Sequence, residues 1–174
     1  MNDTLLERFL RYVSYETTSD PASEDTPSTP GQLKLAALLK KELSDLGWEA
    51  LCGADGYVYA SLPASKGCEK APAIGFVSHM DTSDAVSAGI FRRICESAVS
   101  GKNVKAKIVE NYDGKDVLLE GSGDILSPEA YPELKKYVGK TLIVTDGTTL
   151  LGADDKAGVA GIMEMARRLA EDPT

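Results

Sequence analysis

With 174 residues, 43% hydrophobic and 26% charged, the chain has the make-up of one globular domain, or most of one. Its net charge of -8 repels polyanions, so neither nucleic acid nor an anionic membrane is expected as a partner. No apolar run approaches the ~20 residues of a membrane helix, the charged N-terminus lacks a signal-peptide h-region, and Cys52, Cys68 and Cys95 lack metal-type spacing. They read as free thiols of a reducing compartment, with the cytoplasm as the expected location.

Leu5, Leu6, Phe9, Leu10 and Val13 recur at helical spacing, predicting a helix over Asp3 to Val13 capped by Asp3 or Thr4. Thr17 to Pro30 is rich in Ser, Thr, Pro and acids, and reads as a surface loop. A second helix is predicted from about Gly31 to Leu46. Leu35, Leu38, Leu39, Leu43 and Leu46 form its apolar stripe, and Gly47 its stop.

Trp48 to Cys52 and Tyr57 to Leu62 flank the turn signal Gly53-Ala54-Asp55-Gly56 and predict an antiparallel pair. Ala73 to Val77 is a short apolar run of the kind found in a central strand covered on both faces. Ile108 to Tyr112 and Val117 to Leu119 suggest short strands around Asp113-Gly114. Ser127-Pro128-Glu129 resembles a helix start leading to Tyr137. Thr141 to Thr145 is a strand candidate that turns at Asp146-Gly147 into Thr148 to Leu151. Lys156 to Glu171 is predicted as a helix, with Val159, Ile162, Met163, Ala166 and Leu169 on one face. The chain then ends at Asp172-Pro173-Thr174, one helix after a strand. A following strand is the usual continuation, so the chain is expected to be part of a longer domain.

Two segments at the ends of core elements carry the chemistry, where α/β proteins build sites. In His79-Met80-Asp81, residues two apart share a face of an extended segment. Asp81 can then take the ring N–H of His79, the only histidine of the chain, and fix its tautomer. Alone, His-x-Asp recurs by chance and reads equally as a polar strand end. In Gly152-Ala153-Asp154-Asp155-Lys156-Ala157-Gly158, two acids open a helix. Capping and the helix dipole explain acids there. The flanking small residues go further and permit close backbone approach. A carboxylate can bridge two metal ions, and Asp154 is the better candidate for that, with Asp155 supporting or capping.

The ordered run of motifs resembles the dinuclear zinc aminopeptidase and carboxypeptidase family, most closely its peptidase T branch, the tripeptide aminopeptidases. It is carried by Ser78-His79-Met80-Asp81-Thr82-Ser83, Ser100-Gly101-Lys102-Asn103-Val104, Ile108-Val109-Glu110-Asn111-Tyr112, Ile125-Leu126-Ser127-Pro128 and the stretch from Thr145 to Gly158. The N-terminal Leu5 to Val13 belongs to the same likeness, which covers nearly the whole chain.

The resemblance implies an α/β fold: a three-layer α/β/α catalytic domain with a mixed, mostly parallel sheet, of which residues 1–174 are the N-terminal part. It implies two zinc ions per complete site, with His79 and Asp154 as metal ligands and Asp81 as the catalytic-site carboxylate that orients His79. It also implies a cis bond between Asp154 and Asp155. The substrates implied are short peptides, tripeptides in the complete enzyme. Ala85 to Val99 departs from the branch as an apparent insertion. A Glu-Glu pair, a further acidic ligand, a distant histidine and a lid domain are also implied, and none lies within these residues. Little or no activity and weak zinc binding are therefore expected of the chain by itself. The second reading is a non-catalytic fragment or interaction module that keeps the fold. Either way an incomplete sheet favours association, with a complementing partner or as a homo-oligomer.

Overall fold

In the computed structural model, which describes residues 4–84 and 105–172, helix α1 (Leu5–Val13) starts from a capping box. The Thr4 hydroxyl accepts the Glu7 amide at 3.2 Å while the Glu7 carboxylate accepts the Thr4 amide at 2.7 Å. Two of the helix's unpaired donors are thus satisfied reciprocally. Helix α2 (Pro30–Asp45) takes Pro30 in its first turn, where a missing N–H costs nothing. Its end falls at the predicted Gly47, whose φ of 85° suits only glycine without penalty.

Strands β1 (Glu49–Cys52) and β2 (Val58–Ser61) form the predicted antiparallel hairpin, in register from Glu49 opposite Ser61 to Cys52 opposite Val58. Helix α3 (Ala153–Glu171) packs on α1 and α2, and α2 covers the hairpin. Phe9, Tyr12, Val13, Leu35, Ala36, Leu39, Leu43, Val159, Ala160, Met163 and Ala166 are the buried apolar side chains of these three helices. Trp48 ties the hairpin end to α3 by donating its indole N–H to the Ala166 carbonyl at 3.1 Å.

A buried polar knot sits between α1 and α2. Arg8 donates to the Glu42 carboxylate at 2.6 Å, the Tyr12 hydroxyl donates to the same oxygen, and Arg11 lies 2.9 Å from the other. Burial, then the Glu42 charge, raises the Tyr12 pKa.

On α3, Glu164 accepts from Arg167 at 2.9 and 3.0 Å and from Arg168 at 2.8 Å, which lowers its pKa to about 2. A carboxylate held below its unfolded value contributes stability above the unfolded pKa and loses it as pH falls through the folded one. Glu164→Gln is expected to flatten the loss of Tm between pH 4.5 and 2 relative to the parent chain. Parallel acid limbs in thermal melts would contradict this.

Two compact units share the chain. The elements above, residues up to Asp84 and from Gly152 onward, make one. In the other, β3 (Ala106–Val109) pairs antiparallel with β6 (Leu142–Thr145), and β4 (Val117–Leu119) with β5 (Asp124–Leu126). Tyr112, Val117 and Leu119 are buried there. Gly147, at φ 88°, brings its backbone against Ser122, where a Cβ would meet the hydroxyl at 2.0 Å.

Several expectations need correction. Ala73 to Val77 is not a strand. It has no ladder partner among the described residues, and Ile74, Phe76 and Val77 are 80%, 58% and 96% exposed. A strand covered on both faces needs neighbours to pair its backbone and cover its side chains, and no described segment supplies them. The short strands expected on either side of Asp113-Gly114 do form, as β3 and β4, and each pairs further along the chain. Ser127-Pro128 opens no α-helix. Pro132 lacks an amide to continue one, so the chain makes a turn and then a 3-10 segment, Pro132–Tyr137.

Leu169 is exposed rather than part of the α3 apolar face. Every described sheet is two-stranded and antiparallel, the one parallel contact being a bridge between Thr18 and Thr82. The described architecture is therefore mixed α/β with small sheets. The apparent insertion Ala85 to Val99, Cys95 and the Ser100 to Val104 motif lie outside the described residues.

Candidate metal site

Three stretches distant in sequence meet at one point of the helical unit. The first is Thr17 to Ser19, just after α1. The second is Ser78 to Thr82. The third is Gly152 to Gly158, where α3 begins. Backbone bonds lock the first two together: Thr82 N–H donates to the Thr17 carbonyl at 3.1 Å, and Ser19 N–H to the Thr82 carbonyl at 2.9 Å. The Thr17 hydroxyl, on a residue 1% exposed, donates to the Met80 carbonyl at 2.8 Å. The third stretch is anchored by Lys156, also 1% exposed, whose ammonium donates to the Tyr15 carbonyl at 2.7 Å. Desolvation lowers that ammonium's pKa to about 8.

The two adjacent acids are used differently. Their connecting peptide bond is cis, and both have non-helical backbone angles. Asp155 turns inward: it accepts the Ser78 hydroxyl at 2.6 Å and the Gly158 amide at 3.2 Å. It therefore does the capping. A side chain at Gly158 would collide with it, a Cβ there lying 2.4 Å from its carboxylate. Asp154 turns outward, with its side chain 97% exposed.

His79 stands between Asp81 and Asp154. Its Nδ1 is 3.2 Å from the Asp81 carboxylate and 3.1 Å from the Asp81 carbonyl, and its Nε2 is 3.2 Å from the Asp154 carboxylate. The expected residues His79, Asp81 and Asp154 are thus side by side. Partial desolvation opposes the imidazolium, but the Asp81 carbonyl and the Asp154 and Asp81 carboxylates outweigh it and raise the His79 pKa. Desolvation likewise works against the Asp81 carboxylate. The Ser19 hydroxyl and His79 outweigh that and lower its pKa. Ser19 was not singled out by sequence reasoning. A serine within a Ser/Thr/Pro-rich stretch carries no signal separating a brace from a solvated loop.

With Asp81 holding Nδ1, the second ring nitrogen faces a carboxylate oxygen across an open surface. Two ligands about 2.1 Å from a tetrahedral zinc stand about 3.4 Å apart, near the observed 3.2 Å. The donor types also suit zinc. Among the described residues no group of three or more His, Cys, Asp or Glu side chains could hold a metal ion. The pair falls short of the three protein ligands usual for catalytic zinc.

Comparison with known proteins finds relatives that share one name. The chain is 51% identical over 171 residues to a peptidase T of Desulfitobacterium hafniense strain Y51, an alignment covering 98% of the chain and 38% of the relative. It is 51% identical to the peptidase T of Halothermothrix orenii and 52% identical to one from Clostridium perfringens. These cover 97% and 96% of the chain, and again 38% of each relative. Over nearly its whole length the chain is a homologue of peptidase T. It spans well under half the length of the curated relatives it matches. No protein-family model matches it. Among the described residues no helix is long and apolar enough to cross a membrane.

Proposed function

We propose that this chain carries part of the metal site of a zinc-dependent aminopeptidase that removes the N-terminal residue of tripeptides. The observation that supports it best is the convergence of His79 Nε2 and the Asp154 carboxylate to 3.2 Å, in a chain half identical to peptidase T. His79 would ligate one zinc through Nε2. Asp154, with a second oxygen and an exposed side chain, suits a bridge between two ions. Asp81 keeps the imidazole proton on Nδ1, so that the other nitrogen offers its lone pair. Asp155 has its carboxylate committed to Ser78 and Gly158 and serves as support. When bound, the two zinc ions would supply Lewis acidity toward a peptide carbonyl and acidify a water.

Residues 1–174 then form part of one catalytic domain. Its three-layer architecture and mostly parallel sheet would be completed by sequence like that in the rest of the relatives. The exposed Ile74, Phe76 and Val77 suit association, with a complementing chain or as a homo-oligomer. Cys52 and Cys68 as free thiols suit a cytoplasmic setting.

Competition titration with a zinc chelator tests the ligands. The 174-residue chain is expected to bind zinc at micromolar affinity or weaker, and His79→Ala and Asp154→Ala to lose at least about tenfold. The same chain is expected to leave tripeptides uncut. Nanomolar affinity, affinity unchanged in both variants, or robust tripeptide hydrolysis would overturn the proposal.

A further inference from the structure

The stretch between α1 and α2 reads from its composition as a solvated loop, yet one of its side chains points at the site. Ser19 donates its hydroxyl proton to the Asp81 carboxylate at 2.7 Å, on the oxygen that His79 does not use. A serine hydroxyl has a single proton, so this bond commits it. Behind Ser19 lies Gln32, 6% exposed in α2, whose amide nitrogen is 3.2 Å from the Ser19 oxygen. The same nitrogen reaches the Thr17 carbonyl at 3.4 Å and the Ser28 hydroxyl at 3.3 Å. A carbonyl can only accept, so the amide nitrogen, not its oxygen, faces this group. Gln32 donates to Ser19, and Ser19 has only Asp81 left to donate to.

The main chain leaves Ser19 little room to move. Its own amide is held by the Thr82 carbonyl, and the Thr82 amide by Thr17. Asp81 lies between Met80 and Thr82, both held by Thr17, so the carboxylate and the hydroxyl are presented to each other by paired backbones. The result is a directed series: Gln32 to Ser19, Ser19 to Asp81, Asp81 with His79 Nδ1, and His79 Nε2 facing Asp154.

We propose that Ser19 is a positioning residue of the metal site, oriented by Gln32, which holds the Asp81 carboxylate so that His79 keeps its proton on Nδ1 and presents Nε2. The metal part of this rests on the function proposed above. The tautomer part does not. Three competitors bear on its size. In the metal-free chain the Asp154 carboxylate, 3.2 Å from Nε2, can accept a proton held there. The Asp81 side chain is 44% exposed, so water can replace part of the serine bond, and the Asp81 carbonyl also lies within reach of Nδ1. Groups that hold a metal ligand in place usually change metal affinity about 10–100-fold, so an effect at or just below the low end, about fivefold to tenfold, is expected here.

Because His79 is the only histidine, long-range proton–nitrogen NMR correlation on the metal-free, nitrogen-15-labelled 174-residue chain reads its tautomer without interference. At a pH where the imidazole is neutral, Nδ1 has two acceptors on Asp81 against the one fully exposed Asp154 carboxylate at Nε2, so the parent chain is expected to be mainly Nδ1-protonated. Ser19→Ala is expected to move the tautomer ratio toward Nε2 protonation by about twofold or more, with Gln32→Leu moving it the same way and Ser19→Thr restoring it. Zinc affinity should follow, lower by about fivefold to tenfold in Ser19→Ala and recovered in Ser19→Thr. A tautomer ratio unchanged in Ser19→Ala overturns the proposal, since the Asp81 carbonyl alone would then suffice, whatever zinc does. A shifted ratio with zinc affinity insensitive to both Ser19→Ala and His79→Ala leaves the positioning role standing and overturns the metal site itself.

Discussion

Glu42→Ala is expected to destabilise the helical unit by about 3–5 kcal/mol, the cost of removing one partner from a buried ion pair. Arg8 is 3% exposed and Tyr12 fully buried, and both direct their donors at a single Glu42 oxygen. Without that oxygen a guanidinium and a phenol are left in a dry site, and Arg11 loses its nearby acid as well. A knot replaced whole by apolar side chains of similar volume would behave differently. A triple variant Arg8→Met, Tyr12→Phe, Glu42→Leu removes the three buried groups that depend on one another, leaves only the partly exposed Arg11, and is expected to recover most of the loss. Urea unfolding of the parent, single and triple variants measures both. A single variant within 1 kcal/mol of the parent would contradict the account.

Gly31→Ala is the second substitution with a large expected cost, and here the cause is contact rather than charge. A Cβ at Gly31 would stand 1.8 Å from the Glu16 carbonyl oxygen and 3.0 Å from its carbon. Those are main-chain atoms, so no side chain can swing away. Either α2 or the segment Glu16 to Ser19 must move. Overpacking of this kind typically costs about 1–3 kcal/mol and occasionally more, and the upper end is expected here. Gly161→Ala is the matched control. It also lies in a helix, with nothing within 4 Å of its would-be Cβ, so it is expected to gain up to about 1 kcal/mol from helix propensity. Thermal melts of the two variants should move in opposite directions. Gly31→Ala should also disturb the His79 ring signals, because the displaced segment is the one that carries Ser19.

The helices were legible because their signals are local. Thr4 and Glu7 form a reciprocal cap three residues apart, Gly47 stops α2, and the apolar period of 3.6 marks what each helix buries. The hairpin from Glu49 to Ser61 was legible for the same reason: its turn residues lie between its strands. Pairings that depend on distant partners were not. β3 found β6 rather than its neighbour, and β5, only three residues long, gave no readable alternation.

Ala73 to Val77 shows the limit most clearly. Its composition describes an environment, covered on both faces, that the described residues do not provide. At the site, His79, Asp81 and Asp154 could be singled out because the chain has a single histidine, with an acid two residues on, and because two adjacent acids open a helix. Ser19 and Gln32 could not. Serines recur along the surface, and Gln32, though the only glutamine of the chain, sits in a helix with no motif around it; only the hydrogen bonds among three remote stretches pick the two out.

The bond from Lys156 to the Tyr15 carbonyl joins positions 141 residues apart, and α1 packs on α3 across a similar separation. A ribosome adding 5–20 residues per second would need on the order of 10–30 s to make the later partner after the earlier one. Throughout that interval Phe9, Tyr12 and Val13 would be without the helix that covers them, so the newly made segment would show apolar surface until α3 emerges.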